Sequence, residues 1–181
     1  MPSKLPPSLM GKSGQSFRGT LMGLDPSLRG TGLAILECHP SRSPLLLHSQ
    51  TIKIPPSVPQ ADCLAILFKT ISEKIRDYKL TIAALEETIY VQNYQTALAL
   101  GAARGAILTA LAIADVEIHQ YAPLRIKQAV VGVGRASKDQ MIRTVRGILG
   151  HGADLASDEA DAAGAALCHA FTWRGVPPSE K

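Results

Sequence analysis

Aromatic and cysteine residues are scarce in this sequence. Aromatic residues make up 4% of the 181 positions, so any aromatic stacking must rest on very few side chains. The three cysteines, Cys38, Cys63 and Cys168, form no C-x-x-C pair and leave an odd number. This spacing argues against a zinc cage and against a disulfide scaffold, and it is typical of a reducing compartment such as the cytoplasm.

A long uninterrupted apolar segment is also absent. Residues 97–114 are nearly all Ala, Leu, Gly and Ile, but Arg104 interrupts them. The roughly ten apolar residues that follow are too few to span a membrane. We therefore expect a helix buried in a soluble core, in which Gly101 and Gly105 allow a sheet or a second helix to approach closely.

Charge of one sign is only slightly in excess. The chain has 19 Lys and Arg against 15 Asp and Glu, a net charge of +4, which alone is too small to indicate a polyanionic partner. A hydrophobic fraction of 46% and a charged fraction of 19% are typical of a globular protein and exclude a wholly disordered or fibrous one.

The first twenty residues contain basic side chains and no acid. Pro6 and Pro7 interrupt this segment, so it does not have the continuous apolar region of a secretory signal. We expect a disordered basic extension over residues 1–20, with organelle targeting as the alternative. One folded domain is expected over residues 21–173, followed by a tail over 174–181.

The hydrophobic pattern changes from strands to helices along the chain. Three apolar segments separated by short turns predict an antiparallel meander. The later segments predict two more strands and five helices. The predicted strands are residues 21–24, 31–38, 45–54, 81–87 and 116–121, and the predicted helices are 60–78, 94–114, 123–131, 138–149 and 158–173. This order predicts an α/β fold with a mixed five-stranded sheet and helices on both faces.

Acidic residues stand at the ends of the predicted elements. Asp25 ends the first strand, Glu86 and Glu87 end the fourth, and Asp158 and Asp161 begin the last helix. If strands one and four are neighbours joined by a right-handed crossover, three or four carboxylates converge. Such a cluster is repulsive unless a cation lies within it, and oxygen ligands suit Mg²⁺ or Mn²⁺. Two such ions can activate water and stabilise the leaving oxygen of a phosphodiester.

Each acid also has a simpler interpretation. Asp158 can cap its helix, Asp161 can compensate the helix dipole at the surface, and Asp25 can be a turn residue before Pro26. One of the adjacent glutamates is expected to be solvated, because neighbours on a strand face opposite ways.

Basic residues precede the acidic end of the domain. Residues 151–162 hold four acids and no Lys or Arg. A basic surface beside an acidic pocket is suited to a nucleic-acid backbone. For Arg143 and Arg146 the alternative is a solvated helix face. Residues 123–150 hold one acid, Asp139, and six basic residues: Arg125, Lys127, Arg135, Lys138, Arg143 and Arg146.

Five stretches of the chain resemble the RuvC family of Holliday junction resolvases, in the expected order and over roughly residues 21–170. They are residues 23–32 (GLDPSLRGTG), 84–87 (ALEE), 93–105 (NYQTALALGAARG), 121–134 (YAPLRIKQAVVGVG) and 158–169 (DEADAAGAALCH). The resemblance implies an RNase H-like fold and a homodimer that resolves four-way DNA junctions in recombination and repair.

The resemblance also implies the chemistry and the partners. Paired Mg²⁺-dependent nicks in opposing strands would leave 5′-phosphate and 3′-hydroxyl ends, with two ions per site and Mn²⁺ as a substitute. RuvA and RuvB, the branch-migration proteins, would be its partners. The family's DNA-contacting lysines fall on Lys127 and Lys138, and Arg135 lies in the same basic stretch. The catalytic and metal-binding carboxylates fall on Asp25, Glu86, Asp158 and Asp161.

The chain departs from the family pattern at three positions. Ser27 stands where Gly is usual, Ile89 where a DNA-stacking Phe is usual, and Gln92 where Lys is usual. Isoleucine cannot stack as an aromatic ring does, so Tyr90 is the candidate substitute. Three other interpretations stay open: one lobe of an actin-like ATPase, another RNase H-like nuclease, and a junction-binding scaffold that does not cleave.

Overall fold

The computed structural model describes residues 17–87, 93–150 and 155–173. Ile89, Tyr90 and Gln92, the first sixteen residues of the predicted extension and the predicted tail all lie outside the described residues. Phe17 is buried, 5% exposed, with its ring edge-on to His169. The folded part therefore includes Phe17, four residues before the expected boundary at residue 21.

Five strands form one mixed sheet. β1 (Gly19–Asp25), β2 (Gly30–His39) and β3 (Arg42–Lys53) are the antiparallel meander that the sequence predicts. β4 (Ile82–Glu86) and β5 (Glu117–Tyr121) are parallel to β1. The order β3-β2-β1-β4-β5 makes β1 and β4 neighbours, as expected. Because the two strands are parallel, their carboxyl ends lie together at one edge of the sheet.

The helices follow the predicted periodicity closely. In α1, buried residues recur every four positions, which is the spacing of one helix face. A reciprocal capping box between Ser137 and Gln140 begins α4, since each side chain satisfies a free backbone N–H of the first turn. The five helices are α1 (Gln60–Tyr78), α2 (Tyr94–Ile113), α3 (Pro123–Val131), α4 (Lys138–Leu149) and α5 (Ser157–Thr172).

Hydrophobic side chains cover both faces of the sheet. Met22 and Leu24 point from β1 into a core with α1 and α2, whereas Leu21 belongs to a second core with α3, α4 and α5. This alternation is the two-residue period of a strand buried on both faces. The mixed sheet with helices on both faces is confirmed.

Two glycines bring α5 unusually close to the sheet. A Cβ atom on Gly23 of β1 would lie 2.0 Å from the carbonyl oxygen of Ala162, and one on Gly32 of β2 would lie 2.0 Å from that of Asp158. Both distances are far below van der Waals contact, so no other residue fits without displacing α5. The first turns of α5 are thus held directly on β2 and β1, beside Asp25.

The apolar helix α2 differs from the expectation of a buried helix. Among the described helices it is the one long and apolar enough to cross a membrane by length and composition, with 22% of that window buried. Gly101 and Gly105 have nothing within 4 Å of a Cβ position, so the close approach expected at these glycines was wrong for the described part of the chain. Leu98 and Ile113 are 54% and 70% exposed, so one face of α2 is apolar and uncovered.

Candidate active site

Three carboxylates converge where β1 ends. Asp25, Asp158 and Asp161 each offer one oxygen, and these oxygens all lie within 4.8 Å of one another. All three residues are partly buried. The expected convergence of acids from β1 and α5 is therefore present in the structure.

The backbone places these acids from two sides. Asp25 is the last residue of β1 and pairs with Gly32 of β2, while Asp158 lies in the first turn of α5. The N-cap of α5 is Ala156, and it makes no side-chain capping hydrogen bond. Asp158 is therefore not the capping residue, which removes the simplest structural interpretation of its carboxylate.

Glu86 lies beside the three aspartates at the end of β4. It lines the same cavity as Asp161 but is not a member of the three-carboxylate group. Glu86 is half-buried and Glu87 is exposed, as expected for neighbours on one strand. The Arg104 guanidinium donates a hydrogen bond of 2.8 Å to the backbone carbonyl of Glu86 and a second to Gln120 Oε1, so α2 holds the end of β4.

Burial and mutual repulsion make it unfavourable to ionise these acids together. Burial, followed by the charges of Glu86, Asp161 and Asp158, raises the pKa of Asp25 to about 7. Burial and the charge of Asp161 also raise the pKa of Glu86, against the opposing effect of Lys127 and Lys138. A bound cation would relieve exactly this combination of burial and like charge.

Lys138 forms an ion pair with the carboxylate cluster. Its Nζ lies 3.1 Å from Asp161 Oδ2, and its side chain remains 59% exposed. Burial alone would lower the pKa of Lys138, but the hydrogen bond and charge of Asp161 outweigh it and the pKa is raised. The ammonium therefore stays charged at the mouth of the site.

A cavity extends from the carboxylates between α3 and α4. Lys127 and Lys138 line it together with Glu86 and Asp161, and Pro123, Ile126 and Met141 supply an apolar wall. Of the other predicted DNA contacts, Arg135 is exposed in the segment between the two helices and does not line the cavity. A site that holds carboxylates and ammonium groups in one cavity suits a metal ion and a phosphate together.

The donor set fits a hard divalent cation. The three clustered ligands are all carboxylate oxygens with no His or Cys among them, which favours Mg²⁺ or Mn²⁺ over zinc or copper. The raised pKa of Asp25 supports the same assignment, because a cation would replace the missing counter-charge.

Ser27 is accommodated without strain at the position where the family pattern has glycine. Its backbone N–H donates to Thr31 Oγ1 at 3.1 Å, and the Thr31 hydroxyl donates back to the Ser27 carbonyl at 2.5 Å. Among the described non-glycine residues only Lys79 and Asp115 have positive φ, so Ser27 needs none of glycine's conformational freedom. The departure leaves the turn after Asp25 intact.

Sequence reasoning did not identify the roles of Gly23, Gly32 and Arg104. The two glycines flank Asp25 in a ten-residue motif, and glycines in a buried strand indicate close approach of another backbone. The close approach of α5 to Gly23 and Gly32 could therefore have been predicted from the sequence. The contact of Arg104 with the end of β4 joins positions 18 residues apart and had no sequence signal.

Comparison with known proteins gives a consistent match over the same region. The family model for the crossover junction endodeoxyribonuclease RuvC matches residues 21–169. A RuvC from Bordetella avium is 38% identical over 152 residues, covering 84% of this chain and 83% of the relative. A RuvC from Halorhodospira halophila is 41% identical over 150 residues, covering 83% of this chain and 89% of the relative.

A solved structure extends the match to three dimensions. Thermus thermophilus RuvC in complex with a Holliday junction substrate superimposes with a TM-score of 0.79 at 32% identity, covering 84% of this chain and 93% of that one. The superposition covers nearly the whole of that protein, and the family model spans the residues of the four acids.

Proposed function

The chain belongs to the RuvC family of crossover junction endodeoxyribonucleases, and we propose that it resolves four-way DNA junctions by paired metal-dependent nicks in opposing strands. Each nick leaves a 5′-phosphate and a 3′-hydroxyl end that a ligase can seal. The convergence of Asp25, Asp158 and Asp161 beside a lysine-lined cavity is the observation that carries this proposal.

The carboxylates act as the cation ligands in this proposal. One carboxylate oxygen of each of Asp25, Asp158 and Asp161 lies within 4.8 Å of the others, and Glu86 completes the set from the neighbouring strand. When bound, Mg²⁺ or Mn²⁺ activates water and stabilises the leaving oxygen in phosphodiester hydrolysis, with two ions per site as the proposed number. Asp25 must be ionised to bind, so cation binding displaces its proton.

The basic residues hold the DNA backbone. Lys127 and Lys138 line the same cavity as Glu86 and Asp161, where their ammonium groups can contact phosphate oxygens on either side of the scissile bond. Arg135 supplies a more peripheral contact. Tyr90, which lies outside the described residues, is proposed to stack on a base at the junction centre.

Membership of the RuvC family over residues 21–169 removes the actin-like ATPase lobe, and the two remaining interpretations differ in what the acids do. A junction-binding scaffold has no need for a buried carboxylate cluster that raises the pKa of Asp25 to about 7, since burying unpaired acids is unfavourable. A nuclease for simple flaps would use the same acids, and only the substrate separates it from a resolvase.

We also propose that the protein acts as a homodimer through α2. Tyr94, Leu98 and Ile113 are 76%, 54% and 70% exposed on this helix, and exposed apolar faces of this kind are typical of protein interfaces. A second copy is the occupant, because paired nicks in opposing strands require two active sites related by symmetry. RuvA and RuvB are the proposed partners on junction DNA, in the cytoplasm.

The dimer proposal is tested by light scattering on two matched variants. Leu98→Glu places a charge on the α2 face and is expected to give monomers that nick one strand at a time. Leu45→Glu places the same charge on β3, where Leu45 is 48% exposed, and should leave the dimer intact. A dimer in both variants would refute the α2 interface.

The junction experiment tests the central proposal. The protein is incubated with a labelled synthetic four-way junction and with a linear duplex of the same sequence, each with Mg²⁺ or with EDTA. Symmetric nicks in the junction, dependent on Mg²⁺, are expected. Tight junction binding without nicks would favour the scaffold, and equal cutting of both substrates would favour a less specific nuclease.

A further inference from the structure

One further carboxylate near the site, that of Glu159, points away from the cluster and towards the edge strand β3. Glu159 lies between Asp158 and Asp161 in the first turns of α5 and is half-buried. Ser49 Oγ donates a hydrogen bond of 2.8 Å to its Oε2, and Thr51 Oγ1 donates one of 3.3 Å to its Oε1. Both oxygens of this carboxylate therefore have a partner on β3.

Ser49 and Thr51 stand in the same cross-strand rows as the glycines beneath α5. Thr51 pairs with Gly32, which pairs with Asp25. Ser49 pairs with Ala34, which pairs with Gly23. Two rows on the same face of the sheet thus carry a catalytic candidate, the contact surface for α5 and the hydroxyls that hold Glu159.

The glycine contacts and the Glu159 contacts restrain different movements of α5. Close packing on Gly23 and Gly32 sets the height of the helix above the sheet, and α3 and α4 pack against the helix in the same core. These contacts are apolar and have little directional preference, so they resist a small rotation of the first turn less than hydrogen bonds do. Two hydrogen bonds to one side chain at the edge strand restrict that rotation. Since Asp158 and Asp161 flank Glu159, the rotation decides where their carboxylates lie relative to Asp25.

We propose that Glu159, held by Ser49 and Thr51, is a positioning residue that sets the rotation of α5 and thereby the spacing of the metal-binding aspartates. This inference rests on the proposed metal site. Glu159 itself is not a ligand, because its two oxygens are engaged 110 and 108 residues away in sequence, on β3. Hydrogen bonds made directly to metal ligands typically change metal affinity about ten- to hundredfold, and the effect of Glu159, which acts through the helix, is expected at the lower end of that range.

The test measures Mn²⁺ binding by the electron paramagnetic resonance signal of the free ion, alongside melting temperature, junction binding in EDTA and single-turnover cleavage. The variants are Glu159→Ala, Glu159→Gln and the double variant Ser49→Ala/Thr51→Val. Asp62→Ala is the matched control, since Asp62 is an exposed acid in the first turn of α1 and its removal costs the same helix-dipole interaction.

Glu159→Ala and the hydroxyl double variant are each expected to weaken Mn²⁺ binding about tenfold, with junction binding within twofold of wild type. Combining them should add little, because both remove the same contact. Glu159→Gln should retain most of the affinity, since the amide can still exchange hydrogen bonds with both hydroxyls. Asp62→Ala should bind Mn²⁺ as wild type does.

Three results would overturn the inference. Unchanged Mn²⁺ affinity in the hydroxyl double variant would show that the contact does not position the site. Equal loss in Glu159→Gln and Glu159→Ala would assign Glu159 an electrostatic role. A lowered melting temperature with unchanged Mn²⁺ affinity in Glu159→Ala would show that the contact contributes only to the stability of the fold. If wild type itself bound no Mn²⁺, the proposed metal site would fail instead.

Discussion

The backbone carbonyl of Asp158 lies directly over Gly32. A Cβ atom at position 32 would come within 2.0 Å of the carbonyl oxygen and 2.5 Å of the carbonyl carbon. Gly32 also pairs with Asp25 across the sheet. One missing methyl group therefore allows the metal-binding candidates of β1 and α5 to meet.

Gly32→Ala is expected to move the start of α5 off the sheet. Overpacking of this kind costs about 1–3 kcal/mol of stability, and the separation of Asp158 from Asp25 should lower junction cleavage more than tenfold. Urea unfolding measures the first effect and single-turnover cleavage at saturating Mg²⁺ the second. Wild-type values for both would show that α5 packs differently at this point.

Gly147→Ala is the control for adding a methyl group elsewhere. Gly147 lies in α4, is exposed, and has nothing within 4 Å of its Cβ position. Alanine there should stabilise the protein by up to about 1 kcal/mol, because glycine is a poor helix former, and cleavage should not change.

The order of elements and the position of three acids were predictable from the sequence. The apolar periods place α1 and α4 with the bounds that the structure shows. The pairing of β1 with β4 was only one possible arrangement from the sequence, and the structure shows it. Because the end of β1 and the start of α5 meet at one edge of the sheet, the convergence of Asp25 with Asp158 and Asp161 could be expected without knowledge of individual side-chain contacts.

Contacts between distant side chains were not predictable. The bond between Ser49 and Glu159 joins residues 110 positions apart, and nothing in the local pattern of either residue marks it. The mean hydropathy of α2 indicated burial but not a covering partner, since a helix that is apolar all round has no periodicity to show which face is covered. Its exposed face follows only from the packing.

Asp161→Asn should separate binding from cleavage. The substitution keeps the size of the side chain and removes one clustered negative charge, so four-way junctions should bind with the wild-type dissociation constant. Cleavage in Mg²⁺ should be negligible, because a cation ligand is lost. Mobility-shift assays in EDTA and cleavage assays in Mg²⁺ measure the two properties. Loss of binding as well would mean that Asp161 has a structural role.

Lys138→Ala should reduce both cleavage and the dependence of binding on salt. The Nζ of Lys138 lies 3.1 Å from Asp161, and it must exchange this partner for phosphate when a cation and DNA are bound. Losing one phosphate contact lowers the slope of log affinity against log salt by about one. Fluorescence anisotropy between low and moderate salt measures the slope.

Lys69→Ala is the matched control for that experiment. Lys69 is exposed on α1, a helix on the opposite face of the sheet from α3 and α4. Its removal changes the net charge by the same amount and should leave the slope unchanged. An equal slope in wild type and Lys138→Ala would place Lys138 on a solvated face with no phosphate contact.

His169 is buried among groups that oppose its protonation. It is 1% exposed, its Nδ1 is 2.8 Å from the Tyr121 hydroxyl, and its ring centroid is 4.3 Å from that of His119. Burial, followed by the charge of His119, lowers the pKa of His169 to about 4. His119 in turn pairs with Glu117 at 2.8 Å.

The lowered pKa of His169 predicts that this residue makes the folded protein less stable in acid. The unfolded chain binds a proton at this residue below its ordinary pKa of 6.5, whereas the folded protein does so only near 4. Stability therefore falls as the pH drops from about 6.5 towards 4. Asp25 acts with the opposite sign, because its raised pKa of about 7 lets the folded state bind the proton first.

His169→Asn isolates the histidine contribution, since the amide oxygen can accept the Tyr121 hydroxyl in place of Nδ1. Between pH 7 and pH 5 the stability lost by this variant should be smaller than that lost by wild type by about 1–2 kcal/mol. Urea unfolding at both values in EDTA measures the difference, with His39→Asn at the end of β2 as the control. Parallel pH profiles for wild type and His169→Asn would show that His169 is protonated in the folded protein as readily as in the unfolded chain.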